Sequence, residues 1–337
     1  MMGNYQYRRL VQPLCFVFPL LALLSGCTGI QSALAPSGTA AREIAALWWT
    51  MAAGAVVIFM LVLGTAFYAV KVRPERHSRR VAYVLILGGG ITLPLVILST
   101  LLIYSFRLGP ALTAPVAPQA LRITVIGKQW WWEVHYAMAG ASEPVISANE
   151  LRIPVGERVE LTLQSADVIH SFWVPRLAGK LDMIPGRSNR LVLQADRPGV
   201  YRGQCAEYCG GPHALMAFYV VAEPPARFAA WLAHEARPAL SPTTPLLTRG
   251  RALFLDSGCG TCHTIRGTPA VGRFGPDLTH VGGRYSLAAG ILPNNVGTLA
   301  GWIADSQNLK PGNHMPSFNI FTGEELRALA AYLESLK

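Results

Sequence analysis

Two long apolar stretches near the start of the chain are separated by a short, strongly basic segment. Residues 44–70 and 81–105 each hold 20 or more residues that are nearly free of charge, and about 20 apolar residues suffice to cross a hydrocarbon core of about 30 Å. Residues 71–80 between them carry five basic side chains, which is typical of a cytoplasmic loop. The pattern predicts a two-helix membrane anchor over residues 40–106, with the rest of the chain on the outer side.

Beyond a proline-rich linker, apolar residues recur at every second position, which indicates strands that bury one face. Such alternation is found at 121–125, 159–163 and 191–193, and a short apolar run follows at 215–221. Turns containing glycine and proline separate these segments. Short strands at this spacing predict an antiparallel β-sandwich or barrel over residues 120–225.

A second linker with several prolines follows, and after it the spacing of apolar residues becomes typical of helices. Helices are predicted at Leu247–Leu255, Leu299–Ala304 and Glu324–Leu336, joined by loops rich in glycine and proline. Thr322 is a suitable N-cap for the last of these helices. The pattern therefore predicts an all-helical domain over residues 246–337.

The first residues of the chain are typical of an export signal. Two arginines precede an apolar stretch at residues 10–24, which is too short to cross a bilayer comfortably. The following Leu24-Ser25-Gly26-Cys27 resembles a bacterial lipobox, in which a signal peptide of residues 1–26 is removed and Cys27 is lipidated. A plain signal peptide cut elsewhere, or an uncleaved helix, is the alternative.

Composition and charge narrow the classes of protein to consider. Of 337 residues, 51% are hydrophobic and only 14% are charged, whereas about a quarter are charged in a typical soluble protein. The formal net charge is +10, but most of the excess lies beside the apolar stretches, where it sets membrane topology. These values argue against a purely soluble protein, a disordered chain or a nucleic-acid binder, and they predict the membrane as a partner.

A loop rich in metal-binding side chains lies between two predicted strands. It reads Cys205-Ala206-Glu207-Tyr208-Cys209-Gly210-Gly211-Pro212-His213-Ala214-Leu215-Met216, and His170 lies some 35 residues earlier. Thiolates, imidazoles and a thioether together suit copper. A disulfide or a zinc site is the alternative. A disulfide would leave both histidines and the methionine unused, and zinc sites seldom include methionine.

A second metal-binding motif lies in the predicted helical domain. Cys259-Gly260-Thr261-Cys262-His263 has the C-x-x-C-H pattern of covalent haem c attachment, in which the histidine is one axial ligand of the iron. A thioredoxin-like redox motif is the alternative, but no βαβ pattern surrounds the cysteines. Met315, followed by proline, is the expected opposite ligand, with His280 or His314 as alternatives.

The copper-type motif resembles that of cytochrome c oxidase subunit II, whose exported cupredoxin domain holds the dinuclear copper centre CuA. The resemblance covers roughly residues 40–225, and residues 249–335 resemble the small all-helical cytochromes c. It implies six copper ligands, of which two bridge the copper ions, two cap them and two bind weakly. Cys205 and Cys209 would be the bridging ligands, and His170 and His213 would be the capping ligands. Met216 and the backbone carbonyl of Glu207 would be the weak ligands.

The same resemblance implies two further roles and reveals one departure. The side chain of Glu207 would point toward a magnesium ion at the interface with subunit I. Gln129-Trp130-Trp131-Trp132 resembles the aromatic segment through which electrons enter CuA from cytochrome c, and the matching position is Trp130. Core packing or an interfacial aromatic belt is the alternative for Trp130. Residues 76–106 lack the acidic residue that many relatives use near a proton path.

The sequence therefore predicts a multidomain membrane protein with two transmembrane helices, an antiparallel cupredoxin-like domain and an all-helical cytochrome c domain. It is expected to be the electron-input subunit of a proton-pumping terminal oxidase in the bacterial inner membrane, with both metal-binding domains on the outer, periplasmic side. Electrons from cytochrome c or another outer donor would pass through haem c and CuA to subunit I, among other oxidase subunits. The alternatives are a CuA-containing subunit of a nitric oxide reductase and a free-standing electron-transfer lipoprotein.

Overall fold

The computed structural model describes residues 29–337 except 73, 75–77, 139, 141 and 142. The chain divides into two compact units, of which the smaller is Arg42–Ala117 and the larger includes Pro118–Lys337. The predicted signal peptide and the lipidation residue Cys27 lie outside the described residues.

The smaller unit consists of apolar helices. Helix α1 is Thr39–Phe67 and continues as a π-helical turn, Tyr68–Val72. Helix α2 is Arg79–Tyr83, and a π-helical segment, Val84–Thr92, joins it to α3, Leu93–Thr113. The described residues thus contain two continuous helical stretches that are long and apolar enough to cross a membrane. The two predicted apolar helices are confirmed.

Ten strands of the larger unit form a sandwich of two five-stranded sheets. One sheet has the order β3-β2-β1-β5-β8 and the other has the order β4-β10-β9-β6-β7. The strands are β1 Arg122–Lys128, β2 Trp131–Tyr136, β3 Val145–Ala148, β4 Glu150–Pro154, β5 Val159–Ser165, β6 His170–Trp173, β7 Leu181–Met183, β8 Asn189–Leu193, β9 Gly199–Cys205 and β10 Ala217–Glu223.

The inner faces of the two sheets form one hydrophobic core, as the alternating pattern predicted. Strand β1 buries Ile123 and Val125, and strand β5 buries Val159, Leu161 and Leu163. Most neighbouring strands are antiparallel, but β1 with β5 and β10 with β4 are parallel pairs. Alternation identifies the buried face of a strand and carries no information on the direction of its neighbour, so the sequence predicted the sandwich without these two pairs.

Helices make up most of the remaining structure. Helix α4, Pro225–Glu235, follows the last strand of the sandwich. The helical domain contains α5 Pro245–Asp256, α6 Val296–Ala304, α7 Ser306–Leu309 and α8 Gly323–Ser335, with a short ribbon of β11 Ser286–Leu287 and β12 Leu292–Pro293. The three predicted helices are confirmed, and the side chain of Thr322 caps α8 as expected.

Helices α5 and α8 are in close contact at Gly250. A Cβ atom there would lie 2.1 Å from the carbonyl oxygen of Ala328 and 2.6 Å from Cβ of Tyr332. We expect Gly250→Ala to lower the free energy of unfolding by about 1–3 kcal/mol, because the helices must move apart. Denaturant unfolding followed through helical circular dichroism measures this change.

Gly301 provides the matched control, because it lies in helix α6 and a Cβ atom added there would have no other atom within 4 Å. Gly301→Ala should leave stability unchanged or raise it by up to about 1 kcal/mol through helix propensity. Equal effects of the two substitutions would contradict the close-packing argument.

Candidate metal centres

The sheet that contains β6, β9 and β10 brings the copper-type residues together. Cys205 ends β9 and Ala217 begins β10, so residues 206–216 form the loop between two antiparallel neighbours. His170 begins β6, which pairs with β9 so that Phe172 lies opposite Cys205. This register carries the imidazole of His170 to the cysteine loop across 35 residues of sequence.

The ligand-type atoms of these residues converge in one buried cluster. Sγ of Cys205 lies 3.8 Å from Nδ1 of His170 and 3.8 Å from Sγ of Cys209. Sγ of Cys209 in turn lies 3.4 Å from Nδ1 of His213 and 3.8 Å from Sδ of Met216. Among the described residues, His170, Cys205 and Cys209 form a buried group that could hold a metal ion, with ligand atoms within 4.8 Å of one another.

Glu207 contributes to this cluster through its backbone. Its carbonyl oxygen accepts a hydrogen bond from Sγ of Cys205 at 3.3 Å, whereas its side chain is exposed. The residue therefore turns its carbonyl toward the thiols and its carboxylate toward the surface. A magnesium ion bound by that carboxylate stays a prediction.

The electrostatics of the cluster favour a bound cation. A hydrogen bond from Cys209 lowers the pKa of Cys205 to about 4. The same hydrogen bond, together with burial, raises the pKa of Cys209, because two buried thiolates side by side repel each other. A cation between the sulfurs removes this repulsion, so metal binding would release the second proton.

An acidic residue orients the histidine that arrives from the neighbouring strand. Nε2 of His170 lies 2.7 Å from Oδ1 of Asp167, which leaves Nδ1 facing Cys205. Burial by itself would lower the pKa of His170, but hydrogen bonds with Cys205 and Asp167 outweigh burial and raise it. A carboxylate behind a ligating imidazole fixes the orientation of its ring. The spacing of the motif does not predict this role for Asp167.

Trp130 contacts the copper-type loop directly. Its indole Nε1 donates to the carbonyl of Cys209 at 3.0 Å, and Nε2 of Gln129 donates to the same oxygen at 2.8 Å. On the opposite side, the indole ring lies 5.3 Å from the ring of His314, between centroids. Trp130 therefore contacts both the cysteine loop and the residue that precedes Met315.

The two following tryptophans have other environments. Trp132 is buried in the sandwich core, where its ring packs against Phe218 at a centroid distance of 4.9 Å. Trp131 lies under the ammonium group of Lys128, which is 4.8 Å from the ring centroid. Neither contact involves the cysteine loop.

The C-x-x-C-H motif lines an apolar cavity in the helical domain. The cavity has a volume of about 340 Å³, and its wall includes Cys259, Cys262, His263 and Met315. Nδ1 of His263 lies 2.8 Å from the carbonyl oxygen of Pro276, which leaves Nε2 free for a metal ion. Burial lowers the pKa of His263 and so favours the neutral imidazole that binds iron.

Two further features of the cavity fit a haem group. Nε of Arg284 is buried without a hydrogen-bond partner among the described residues, and this arginine lines the cavity. A haem carboxylate is a suitable partner for such a guanidinium. Gly275 leaves no room for a side chain, since a Cβ atom there would lie 2.5 Å from Cε1 of His263. The residues present therefore fit haem c.

The structure separates the three candidates for the opposite iron ligand. Met315 lines the cavity with His263, and its backbone N–H donates to Oδ1 of Asn313 at 2.8 Å. His280 is buried elsewhere, with each ring nitrogen about 3 Å from a backbone carbonyl oxygen. His314 also lines the cavity but packs between Trp130 and Phe274. Met315 remains the expected ligand.

One loop of the sandwich brings together thiols, imidazoles and a thioether, and the adjoining helical domain has a cavity lined by the C-x-x-C-H motif. Together these two features define a class of electron-transfer protein. The family model "Cytochrome C oxidase subunit II, periplasmic domain" matches residues 138–223, and the model "Cytochrome c" matches residues 247–337. The chain belongs to the cytochrome c oxidase subunit II family and carries a cytochrome c domain. These domains suggest a CuA copper centre and haem c.

Curated relatives agree with this assignment. Cytochrome c oxidase subunit 2 of Alkalihalophilus pseudofirmus is 41% identical over 222 residues, which are 66% of this chain and 63% of that protein. The Branchiostoma floridae protein of the same name is 31% identical over 189 residues, 51% of this chain and 79% of that protein. The chain thus spans about three fifths of the bacterial relative.

Among solved structures, the periplasmic domain of subunit II of cytochrome oxidase from Bradyrhizobium japonicum is 32% identical. The match covers 36% of this chain and 96% of that chain, with a TM-score of 0.32. Together, the two apolar helices and the subunit II homology indicate a membrane protein with a periplasmic domain.

Proposed function

We propose that this chain is the electron-input subunit of a respiratory terminal oxidase in the bacterial inner membrane. It passes electrons from cytochrome c, or another outer donor, by way of haem c and CuA to catalytic subunit I, which reduces oxygen and pumps protons. The observation that carries the proposal is the position of Trp130, which contacts the cysteine loop and also lines the C-x-x-C-H cavity. The proposed parts are a signal peptide 1–26, an anchor 40–106, a CuA domain 120–225 and a cytochrome c domain 246–337.

The protein's own residues would bind and orient two redox groups that supply one-electron chemistry. The thiolates of Cys205 and Cys209 would hold the copper centre together with His170 and His213, because each thiol lies beside the other and beside one imidazole. Met216 and the carbonyl of Glu207 would complete the ligand set. Cys259 and Cys262 would hold the haem covalently.

Trp130 would connect the two centres. Its indole N–H is bonded to the backbone of Cys209, a proposed copper ligand, and its ring packs on His314, next to the proposed iron ligand Met315. This short series of contacts supports Trp130 as the point where electrons enter the copper centre.

The proposal is tested on the intact complex, purified from native membranes and mixed rapidly with reduced cytochrome c. We expect the haem c band to be reduced first, the copper band second and oxygen to be consumed. A Cys259→Ser, Cys262→Ser double variant should lose the haem band, retain the dicopper paramagnetic signal and consume oxygen more slowly. Reduction of nitric oxide without oxygen uptake would indicate a nitric oxide reductase instead. Purification of the fully metallated chain without partners would indicate a free-standing lipoprotein.

A further inference from the structure

Lys310 is a buried lysine at the junction between the sandwich and the helical domain. It follows helix α7, and only 3% of its surface is exposed. Nζ donates to the carbonyl of Trp130 at 2.7 Å and to the carbonyl of Ala288 at 3.2 Å. In the part of the chain that the structure describes, Lys310 has no carboxylate partner within ion-pair distance.

A buried ammonium without a counter-charge is costly, because neutral carbonyl groups only partly replace the water that solvates the charge in the unfolded protein. An apolar side chain in place of Lys310 would fill the same space at a lower cost in free energy. The location of Lys310 indicates why a charge is retained there. Lys310 lines the cavity shared by His263 and Met315, and its Nζ donates a hydrogen bond to the carbonyl of Trp130. The indole N–H of Trp130 in turn donates to the carbonyl of Cys209.

We propose that Lys310 is a redox-linked proton site that balances the charge of an electron at the junction between the two metal centres. The inference rests on the proposed haem c and CuA positions. When the outer donor supplies one electron, the neutral amine of Lys310 takes up one proton from solvent and becomes an ammonium. When that electron moves on, the proton returns to solvent.

The direction of the pH effect follows from burial and from Coulomb attraction. Burial lowers the pKa of Lys310 to about 7, and the negative charge of a Cys209 thiolate would act in the opposite direction. An added electron favours the ammonium form, so the reduced protein binds the proton more tightly than the oxidised protein. By thermodynamic linkage, the haem then accepts its electron more readily at low pH and less readily as the amine loses its proton.

Other titratable and charged groups face this junction. Cys209 approaches from the copper loop, His314 packs on Trp130 from the methionine loop, and Arg284 lines the same cavity. Cys209 would be a metal-bound thiolate, and a guanidinium keeps its charge through the neutral pH range. His314 is therefore the residue that a control variant must replace.

The test is an optical redox titration of haem c in the purified complex between about pH 6 and pH 9. For the wild type, we expect the equilibrium constant for haem reduction to fall about tenfold over this range, which is ~59 mV for one electron. Lys310→Met should remove this dependence and hold the haem potential at the value that the wild type reaches at high pH. Lys310→Arg should also remove the pH dependence, but should hold the haem potential at the value that the wild type has at low pH.

A second readout is the uptake of protons on reduction, followed with a pH indicator in weakly buffered solution. Wild type and His314→Gln should take up protons near neutral pH, whereas Lys310→Met should not. The inference is overturned if the wild-type potential does not vary with pH, or if its variation persists in Lys310→Met or disappears in His314→Gln. Absence of a c-type haem band would instead contradict the proposed function. A wild-type potential that does not vary with pH overturns the inference by itself, and if Lys310→Met does not fold, Lys310→Arg gives the same test because a fixed charge should also remove the dependence.

Discussion

Cys205→Ser is expected to abolish the copper centre while the haem c band remains. A serine hydroxyl is a hard donor that stays protonated near neutral pH, so it cannot replace a bridging thiolate. Cys205 lies within 4 Å of both Cys209 and His170, and its loss would remove the shared contact of the cluster. The measurements are copper content, the mixed-valence dicopper signal and oxygen uptake with cytochrome c, which should fall by more than about 100-fold.

Ser171→Ala is the matched control for this substitution. Ser171 is fully buried beside His170, and its hydroxyl has no hydrogen-bond partner among the described residues. Removing that hydroxyl should leave both metal signals intact. The contradictory outcome is loss of the haem band together with copper in Cys205→Ser. The two domains are in contact, for example through the partly buried hydrogen bond from the Tyr285 N–H to Oε2 of Glu150 at 2.6 Å, and that result would mean that they fold as one unit.

Strands β1 and β5 were predictable because each of them buries one face. Strand β5 alternates between buried and partly exposed residues along most of its length, and the pattern at 159–163 is sufficient to find it. Alternation does not reveal strand β6, because it has only four residues and three consecutive ones are buried. Both faces of β6 are covered, so no alternation exists to detect. This short strand nevertheless carries His170.

The copper-type site was predictable to the extent that its residues are close in sequence. Five of the six proposed ligands lie within Cys205–Met216, where the length of the loop limits their separation. The approach of His170 depends on the register of β6 against β9, which spacing alone does not determine. The residues now found beside each other are those that the motif predicted, and their roles as ligands stay predictions.

Residues that act through tertiary contacts left no signal in the sequence. Lys310 is a single lysine in a loop, and only its contact with Trp130 marks it as unusual. Arg284 likewise becomes informative only because its Nε is buried and unpaired among the described residues. Motifs identify residues that bind a cofactor directly, whereas residues that balance its charge are identified from burial and from missing partners.

Met315→His is expected to lower the reduction potential of haem c by on the order of 0.2 V, because an imidazole stabilises the oxidised iron more than a thioether does. The backbone of Met315 is held by Asn313 and by two side-chain hydrogen bonds to its carbonyl, so the new side chain starts from the same position. A change of about 59 mV alters the equilibrium constant of a one-electron transfer tenfold. The equilibrium constant for electron donation to copper would therefore rise by about a thousandfold. The equilibrium constant for reduction of the haem by the outer donor would fall by the same factor. Redox titration and the rate of haem reduction by cytochrome c measure these changes.

Two further variants decide which residue binds the iron. If Met315 is the ligand, Met315→Leu removes a bond to iron and should allow carbon monoxide to bind the reduced haem, while His314→Gln should leave the haem coordinated. If His314 is the ligand, the two results are exchanged. His314 packs between Trp130 and Phe274, with ring centroids 5.3 and 5.7 Å away. Turning its imidazole toward the iron would break both contacts and separate Trp130 from the methionine loop. This packing therefore favours Met315 as the ligand.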